Sequence, residues 1–280
     1  MQTTSNPSGL LSAGGVLDRI VAAKAARLWA AQRETPLRVM IERAAQFATR
    51  SRHSFAEALT RTDRVNIIAE IKHRSPSKGV IREDFDPARI AESYVVGGAA
   101  ALSVLCEEDF FGGSLDHLKT IRQVVDLPLL RKDFIIDEYQ LYESAAAQAD
   151  AVLLITALLD GGLLKRFLDA SHDLNLDAVV EVHSRDEMNR AVRAGAKIIG
   201  VNNRDLTNFE VDLNTSIELA AIAPTDAILV SESGISRGSD MMRLRDAGFS
   251  AFLIGEHFMR ADDPGQTLRE LISSCEQERL

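Results

Sequence analysis

The run from Ile67 to Gly79, IIAEIKHRSPSKG, sets a carboxylate and an ammonium inside a stretch that otherwise reads as a buried strand. Side chains on a strand alternate between faces, so Ile68, Glu70 and Lys72 project one way and Ile67, Ala69 and Ile71 the other. Burying Glu and Lys costs several kcal/mol unless they are paired or reach a polar cavity, so this strand tip is expected to open on an active site. A structural ion pair on an edge strand would explain one such run. The pattern recurs at Arg131-Lys132-Asp133, at Val180-Glu181-Val182 and at Val230-Ser231-Glu232, which favours a site assembled from several strand tips.

Two loops near the end of the chain suit an anion. They read Ser231-Glu232-Ser233-Gly234-Ile235-Ser236 and Gly255-Glu256-His257-Phe258-Met259-Arg260, with Gly234 and Gly255 as candidate amide donors to a phosphate. Ordinary tight turns explain a lone glycine equally well, but two neighbouring glycine loops beside Ser233 less well. Ser75-Pro76-Ser77-Lys78-Gly79 either reaches an anion or is a surface turn. Phe110 and Phe111, in the acidic, glycine-rich segment Glu107 to Ser114, suit an aromatic ligand or a lid, with one of the two available for the core. His73, His183 and His257 fall near strand tips at spacings that form no metal motif, so they are expected as supporting or surface residues and no metal is expected. Neither a dinucleotide fingerprint nor a Walker loop is present, which leaves the chemistry to side chains.

The elements that must carry these residues alternate. Apolar, β-rich runs occur at 67–71, 101–105, 128–132, 151–155, 178–182, 198–202, 227–231 and 251–255. Helical patterns lie near 87–96, 115–125, 138–148, 162–174, 185–194, 213–221, 237–247 and 264–276. Eight βα units are what a parallel barrel needs, with a doubly wound open sheet as the alternative. The polar exceptions Glu70, Lys72, Lys132, Glu181, Asn202 and Glu232 all fall at the C-terminal ends of the strand runs. Those ends share one rim in a barrel and could not all converge in an open sheet. Before the first strand, apolar residues at helical spacing (Leu17, Ile20, Val21, Leu28) predict a helix from 16 to about 33, ended by Thr35-Pro36. A second is predicted over 37–47, and a short third over 54–59 with a capping-box spacing from Ser54 to Glu57. The expected architecture is an α/β (β/α)8 TIM barrel with an N-terminal helical extension, in one domain over 1–280: a mobile tail at 1–15, the extension at 16–66 and the barrel at 67–280.

Composition narrows the partners. In 280 residues, 46% hydrophobic content supplies ample core, and a net charge of -9 disfavours nucleic acid or an anionic membrane as the main partner. Any phosphate must therefore be held locally. Two cysteines, Cys106 and Cys275, supply neither a disulfide framework nor a four-ligand zinc site, and the chain reads as cytoplasmic. Asn214-Thr215-Ser216 is better explained by polar residues starting a helix than by glycosylation.

Taken in order, the motifs Ile-Ala-Glu-Ile-Lys (68–72) with Ser-Pro-Ser-Lys-Gly (75–79), Leu-Arg-Lys-Asp-Phe (130–134), Glu-Val-His (181–183), Asn-Asn-Arg-Asp-Leu (202–206), Ser-Glu-Ser-Gly-Ile (231–235) and Leu-Ile-Gly-Glu (253–256) closely resemble the indole-3-glycerol phosphate synthase family. The resemblance covers the barrel and nearly the whole chain. It implies conversion of 1-(2-carboxyphenylamino)-1-deoxyribulose 5-phosphate to indole-3-glycerol phosphate, in tryptophan biosynthesis. Ring closure proceeds with loss of carbon dioxide and then water, and without a cofactor. The substrate is a small anion.

By the same resemblance Lys132 is the general acid on the ketone oxygen and Glu181 its carboxylate partner. Lys72, held by Glu70, contacts the departing carboxylate and is a candidate donor for the dehydration, while Asn202 and Glu232 complete the polar rim. Ser75, Arg204, Ser233, Gly234, Gly255 and the backbone of Glu256 match phosphate-holding positions. Glu256 stands where some members have serine, and its side chain is not expected to help. Phe111, Phe134, Leu153 and Leu206 match the pocket around the aromatic ring, and Leu17 or Trp29 of the extension is a candidate to touch ligand. A phosphoribosylanthranilate isomerase would lack the extension and carry a catalytic Cys where this chain has Glu70 and Lys72. A Schiff-base aldolase using Lys132, or a non-catalytic sugar-phosphate-binding barrel, stays open on the residues alone.

Overall fold

The computed structural model describes residues 9–47, 54–205 and 209–277. Three helices lead: α1 (Gly15–Glu34), α2 (Leu37–Ala45) and α3 (Phe55–Leu59). Ser54 caps α3 by accepting from the Glu57 amide at 3.1 Å, as the capping-box spacing predicts. There follow β1 (Asn66–Ile71), a hairpin of β2 (Arg74–Ser75) and β3 (Gly79–Val80), α4 (Pro87–Gly97), β4 (Ala101–Leu105), α5 (Leu115–Val124), β5 (Leu129–Lys132) and α6 (Tyr139–Ala146). The second half contains β6 (Ala151–Ile155), α7 (Gly161–Asp173), β7 (Asp177–Val182), α8 (Arg185–Ala194), β8 (Ile198–Asn202) and α9 (Asn214–Ala220). It closes with β9 (Ile228–Glu232), α10 (Gly238–Asp246), β10 (Ala251–Ile254), α11 (Glu256–Met259) and α12 (Pro264–Gln277).

Eight strands pair in a closed ring in the order β1-β10-β9-β8-β7-β6-β5-β4. Every pairing is parallel, and β1 bonds to β4 on one side and β10 on the other, so the sheet is a barrel and not an open doubly wound sheet. The strands are buried on both faces because the ring's interior and the helix shell cover them, which is why their sequences are near-continuous apolar runs. The hairpin in the loop after β1 and the short α11 lie outside the alternating pattern and have no counterpart among the predicted elements.

The N-terminal segment differs from expectation. Residues 9–11, expected within a mobile tail, are docked on the barrel, and residues 12–14 lead from them into α1, where the Ala13 and Gly14 amides donate to Asp18. The Leu11 amide donates to the Leu158 carbonyl at 2.8 Å, the Asp160 amide donates to the Gly9 carbonyl at 2.8 Å, and Leu10 bridges Leu159. The turn between β6 and α7 presents backbone groups that need partners, and the tail supplies them in strand-like fashion. The rest of the expected tail, residues 1–8, lies outside the described residues.

α1 is fixed across the C-terminal rim of the barrel by both grease and charge. Leu17, Ile20 and Lys24 lie on its buried face. The Lys24 ammonium sits 2.7 Å from Glu108 and 2.8 Å from Asp133, and Arg27 grips Asp109 with two donors at 2.6 Å each. Asp133 also accepts from Arg131, at 2.8 Å from its Nη2. The extension is thus tied to the β4–α5 loop and to the residue that follows Lys132.

Candidate active site

The rim opens into a cavity of about 450 Å³, within the range that holds a small molecule. Every described residue singled out above as catalytic, phosphate-holding or ring-holding lines it. Leu206 lies outside the described residues. Register explains the convergence: Glu70 pairs across β1 and β4 with Ser103, Lys132 with Leu105, Glu181 with Ile155, and Asn202 with Glu232, all at strand ends on one rim.

Lys132 is the hub. Its Nζ lies 2.7 Å from Glu232 Oε2 and 3.2 Å from Glu181 Oε2. Burial works against the ammonium, but the charges of Glu232, Glu181 and Glu70 outweigh it and raise the Lys132 pKa, so the amine is charged at neutral pH. Lys72 forms an ion pair with Glu70 Oε2. Burial opposes ionisation of Glu70 and Glu181 too; Lys72 and Lys132 overcome it for Glu70, and Lys132 with His183 for Glu181, so both pKa values fall. Glu232 behaves differently. Burial and the neighbouring Glu181 and Glu70 prevail over Lys132 and push it up to about 7.

Two glycines make room for these carboxylates. A Cβ on Gly200 would overlap Glu232 Oε1, and one on Gly255 would overlap Glu70 Oε2. Gly255, expected as an amide donor to phosphate, is therefore also required by the packing of Glu70.

His183, expected as a supporting or surface residue, is partly buried, with Nε2 3.4 Å from Glu181 Oε1 and Nδ1 3.1 Å from Glu187 Oε2. Burial lowers its proton affinity, while the Glu187 hydrogen bond and the charge of Glu181 raise it further, so its pKa ends above the usual histidine value. Asn202 hydrogen-bonds Glu181 and accepts from the Arg204 amide at 3.0 Å.

One wall is apolar, with Phe111 and Phe134 rings 6.0 Å apart and Leu153 beside them. Phe110 is not part of it; it packs against the core near Arg19, so only the second of the paired phenylalanines serves the cavity. Val16, Leu17 and Ile20 of α1 complete the wall. Of the two extension residues considered, Leu17 faces the cavity and Trp29 is half exposed with Arg33 over its ring. The opposite end gathers Ser75, Arg204, Ser233, Gly234, Gly255 and Glu256, together with Arg260 and His257, neither of which the motifs had singled out for the anion. Ser233 and Gly234 both take positive φ, at 68° and 81°, which turns this loop sharply at the rim. Among the described residues no three His, Cys, Asp or Glu side chains are grouped so as to hold a metal ion, and no helix is long and apolar enough to cross a membrane.

Comparison with known proteins agrees with the motifs. The family described as indole-3-glycerol phosphate synthase matches residues 17–271. The indole-3-glycerol phosphate synthase of Variovorax paradoxus is 46% identical over 261 residues, covering 91% of this chain and 98% of that protein. The synthase of Carboxydothermus hydrogenoformans is 45% identical over 264 residues, covering 92% and 99%. Among solved structures, a 3-hexulose-6-phosphate synthase aligns with a TM-score of 0.60 at 16% identity, covering 75% of this chain and 99% of that one. A thiamine phosphate pyrophosphorylase from Pyrococcus furiosus aligns with a TM-score of 0.58 at 17% identity, covering 76% and 96%. At such identities these two speak for the fold alone, whereas the family match spans the barrel and α1 together. The chain belongs to the indole-3-glycerol phosphate synthase family, the carboxy-lyases of tryptophan biosynthesis.

Proposed function

We infer that the cavity closes the indole ring of 1-(2-carboxyphenylamino)-1-deoxyribulose 5-phosphate, with the residues above in distinct roles. The observation that carries this reading is the Lys132 ammonium, held at 2.7 Å by Glu232 and 3.2 Å by Glu181, in a cavity with an apolar wall and an arginine-bearing end. A substrate with an aromatic ring and a phosphate fits such a cavity with its ketone near Lys132. As the ring carbon attacks the ketone carbon, charge develops on the oxygen and Lys132 protonates it, giving a hydroxyl. Carbon dioxide then leaves with its bonding pair returned to the ring. Lys72, beside Glu70, neutralises the departing carboxylate and donates the proton that converts the hydroxyl to water. Glu181, in contact with Lys132 and His183, takes up the proton released as the indole forms. Ser75, Arg204, Ser233 and the backbone at Gly234, Gly255 and Glu256 hold the phosphate, while Phe111, Phe134 and Leu153, with Leu206, hold the ring. No cofactor takes part, and the enzyme works as one domain in the cytoplasm.

The charged state of Lys132 separates this reading from a Schiff-base aldolase, whose lysine must lose its proton to attack a carbonyl. Substrate supplied without added metal or cofactor is expected to yield the absorbance and fluorescence of indole. Treatment with borohydride during turnover is expected to leave Lys132 unmodified by mass spectrometry, and Lys132→Ala to remove most turnover while sparing substrate binding. No product from folded protein, or a substrate adduct on Lys132, would overturn the assignment.

A further inference from the structure

The arginine-bearing end of the cavity already contains an anion. Glu256, the first residue of α11, brings Oε2 within 3.5 Å of Arg204 Nη2 and Oε1 within 3.1 Å of Arg260 Nε. The other terminal nitrogen of Arg204, Nη1, donates to the Phe209 carbonyl at 3.2 Å. Arg204 is thereby held between a fixed carbonyl and a carboxylate, and all three charged side chains line the cavity. The side chains of Arg204 and Glu256 are only partly exposed, at 22% and 30%, so water screens this pair incompletely. A carboxylate offers a guanidinium the same pair of acceptor oxygens that a phosphate does. A phosphate entering this end therefore competes with Glu256 for Arg204.

We propose that Glu256 is a positioning residue that sets phosphate affinity: it is the resident anion of Arg204 and Arg260 in the empty site and surrenders Arg204 to the substrate's phosphate. The proposal rests on the reading of this end as the phosphate subsite. Two opposed effects follow from the geometry. By holding the guanidinium, Glu256 reduces the ordering that binding would otherwise require. By competing for Arg204, and by remaining a few ångströms from the phosphate dianion after the exchange, it weakens the hold on the bound anion and speeds its departure. The second effect is the larger, because Arg204 keeps its bond to the Phe209 carbonyl without Glu256 and so stays oriented. Substrate and product share the phosphate, so the carboxylate weakens both and favours product release.

The test measures competitive inhibition by inorganic phosphate alongside steady-state kinetics for the wild type, Glu256→Gln, Glu256→Ser and Arg204→Ala. Both Glu256 variants are expected to bind inorganic phosphate about three- to tenfold more tightly, the size of effect for removing a like charge at this distance in a partly wet site. KM should fall in parallel and kcat should not rise, a split that a general loss of structure would not produce. The gain should shrink as salt is added. In an Arg204→Ala background Glu256→Gln should recover less affinity than it does in the wild type, because there is no guanidinium left to compete for. Unchanged or weaker phosphate binding in both Glu256 variants, with Arg204→Ala weakened, would make Glu256 a mere support for Arg204 and overturn the proposal. An equal gain with and without Arg204 would overturn the competition as well. If Arg204→Ala binds phosphate as the wild type does, the anion sits elsewhere and the underlying reading of the subsite fails instead.

Discussion

Glu232→Gln is expected to make the protein more stable above neutral pH while slowing turnover. Glu232 is 1% exposed, its Oε2 bonds Lys132 at 2.7 Å, and its Oε1 is buried without a hydrogen-bond partner among the described residues. Burial, reinforced by Glu181 and Glu70 and opposed by Lys132, pushes its pKa from the ordinary 4.5 to about 7. The folded protein therefore holds this proton more tightly than the unfolded chain. Its contribution to stability is fully present below pH 4.5 and is lost as pH rises to about 7. At ~1.4 kcal/mol per tenfold change in proton affinity, ionising Glu232 in the fold costs about 3 kcal/mol. Glutamine fills the same space beside Gly200 and carries no charge to desolvate, but it also deprives Lys132 of a countercharge. The net gain is thus expected at ~1–3 kcal/mol at pH 8 and close to zero at pH 5, where the wild-type carboxyl is itself neutral. Urea unfolding of both proteins at the two pH values reads this difference directly. Glu70 and Glu181, whose pKa values are lowered, slope stability the other way at acid pH, below the two pH values compared. A gain at pH 8 no larger than that at pH 5 would refute the account of Glu232 as the carboxyl whose ionisation the fold resists.

Lys24→Met should cost about 2 kcal/mol in urea unfolding, because it removes the buried cation that Asp133 shares with Arg131 and that Glu108 meets at the rim. It should also raise KM, since the same helix brings Leu17 and Ile20 to the cavity wall; an unchanged KM would separate the extension from ring binding. Gly234→Ala should weaken inorganic phosphate binding and lower stability by about 1–2 kcal/mol, because its φ of 81° disfavours a side chain and the new methyl would overlap Val211 Cγ1. The methyl meets Val211, so the effect on phosphate acts through the shape of the loop. A loss of stability with phosphate affinity intact would mean this loop does not touch the anion.

The barrel was legible in the sequence because parallel strands covered on both faces must be apolar, so a charged residue there stands out. Glu70, Lys132, Glu181 and Glu232 were visible for that reason, and their shared position at strand ends pointed to closure. The face of α1 was legible as well, but amphipathic spacing says which side is apolar and not what it covers. Spacing alone therefore could not assign Ile20 to the cavity, and Leu17 stood beside Trp29 as a candidate only through the resemblance. Lys24 carries a usable signal: a lysine on the apolar stripe of Leu17 and Ile20 needs a buried acid, and Asp133 is that acid. The docking of residues 9–11 left no trace, since it runs through backbone hydrogen bonds that any sequence can make. The same limit applies to Gly200 and Gly255, whose missing side chains are explained only by carboxylates on neighbouring strands. Resemblance placed Glu256 at the anion end, but its grip on Arg204 and Arg260 depends on how the rim loops meet.

The charge balance at the rim explains why one carboxylate titrates apart from the others. Glu70, Glu181 and Glu232 converge there with two ammonium groups, Lys72 and Lys132, so full ionisation would leave a buried negative charge in excess. Glu70 has Lys72 to itself, and Glu181 draws on Lys132, His183 and Asn202. Glu232 shares Lys132 and, among the described residues, has no hydrogen-bond partner on its second oxygen, so the excess charge is relieved there by a proton. Lys132 meanwhile keeps at least one ionised partner on either side of neutrality, because Glu181 stays ionised when Glu232 does not. The general acid proposed at Lys132 needs that constancy: its proton must be present before the ketone oxygen gains charge, whatever the state of its neighbours. Three carboxylates around one lysine thus separate two tasks, with Glu181 keeping Lys132 charged and Glu232 absorbing the change in pH.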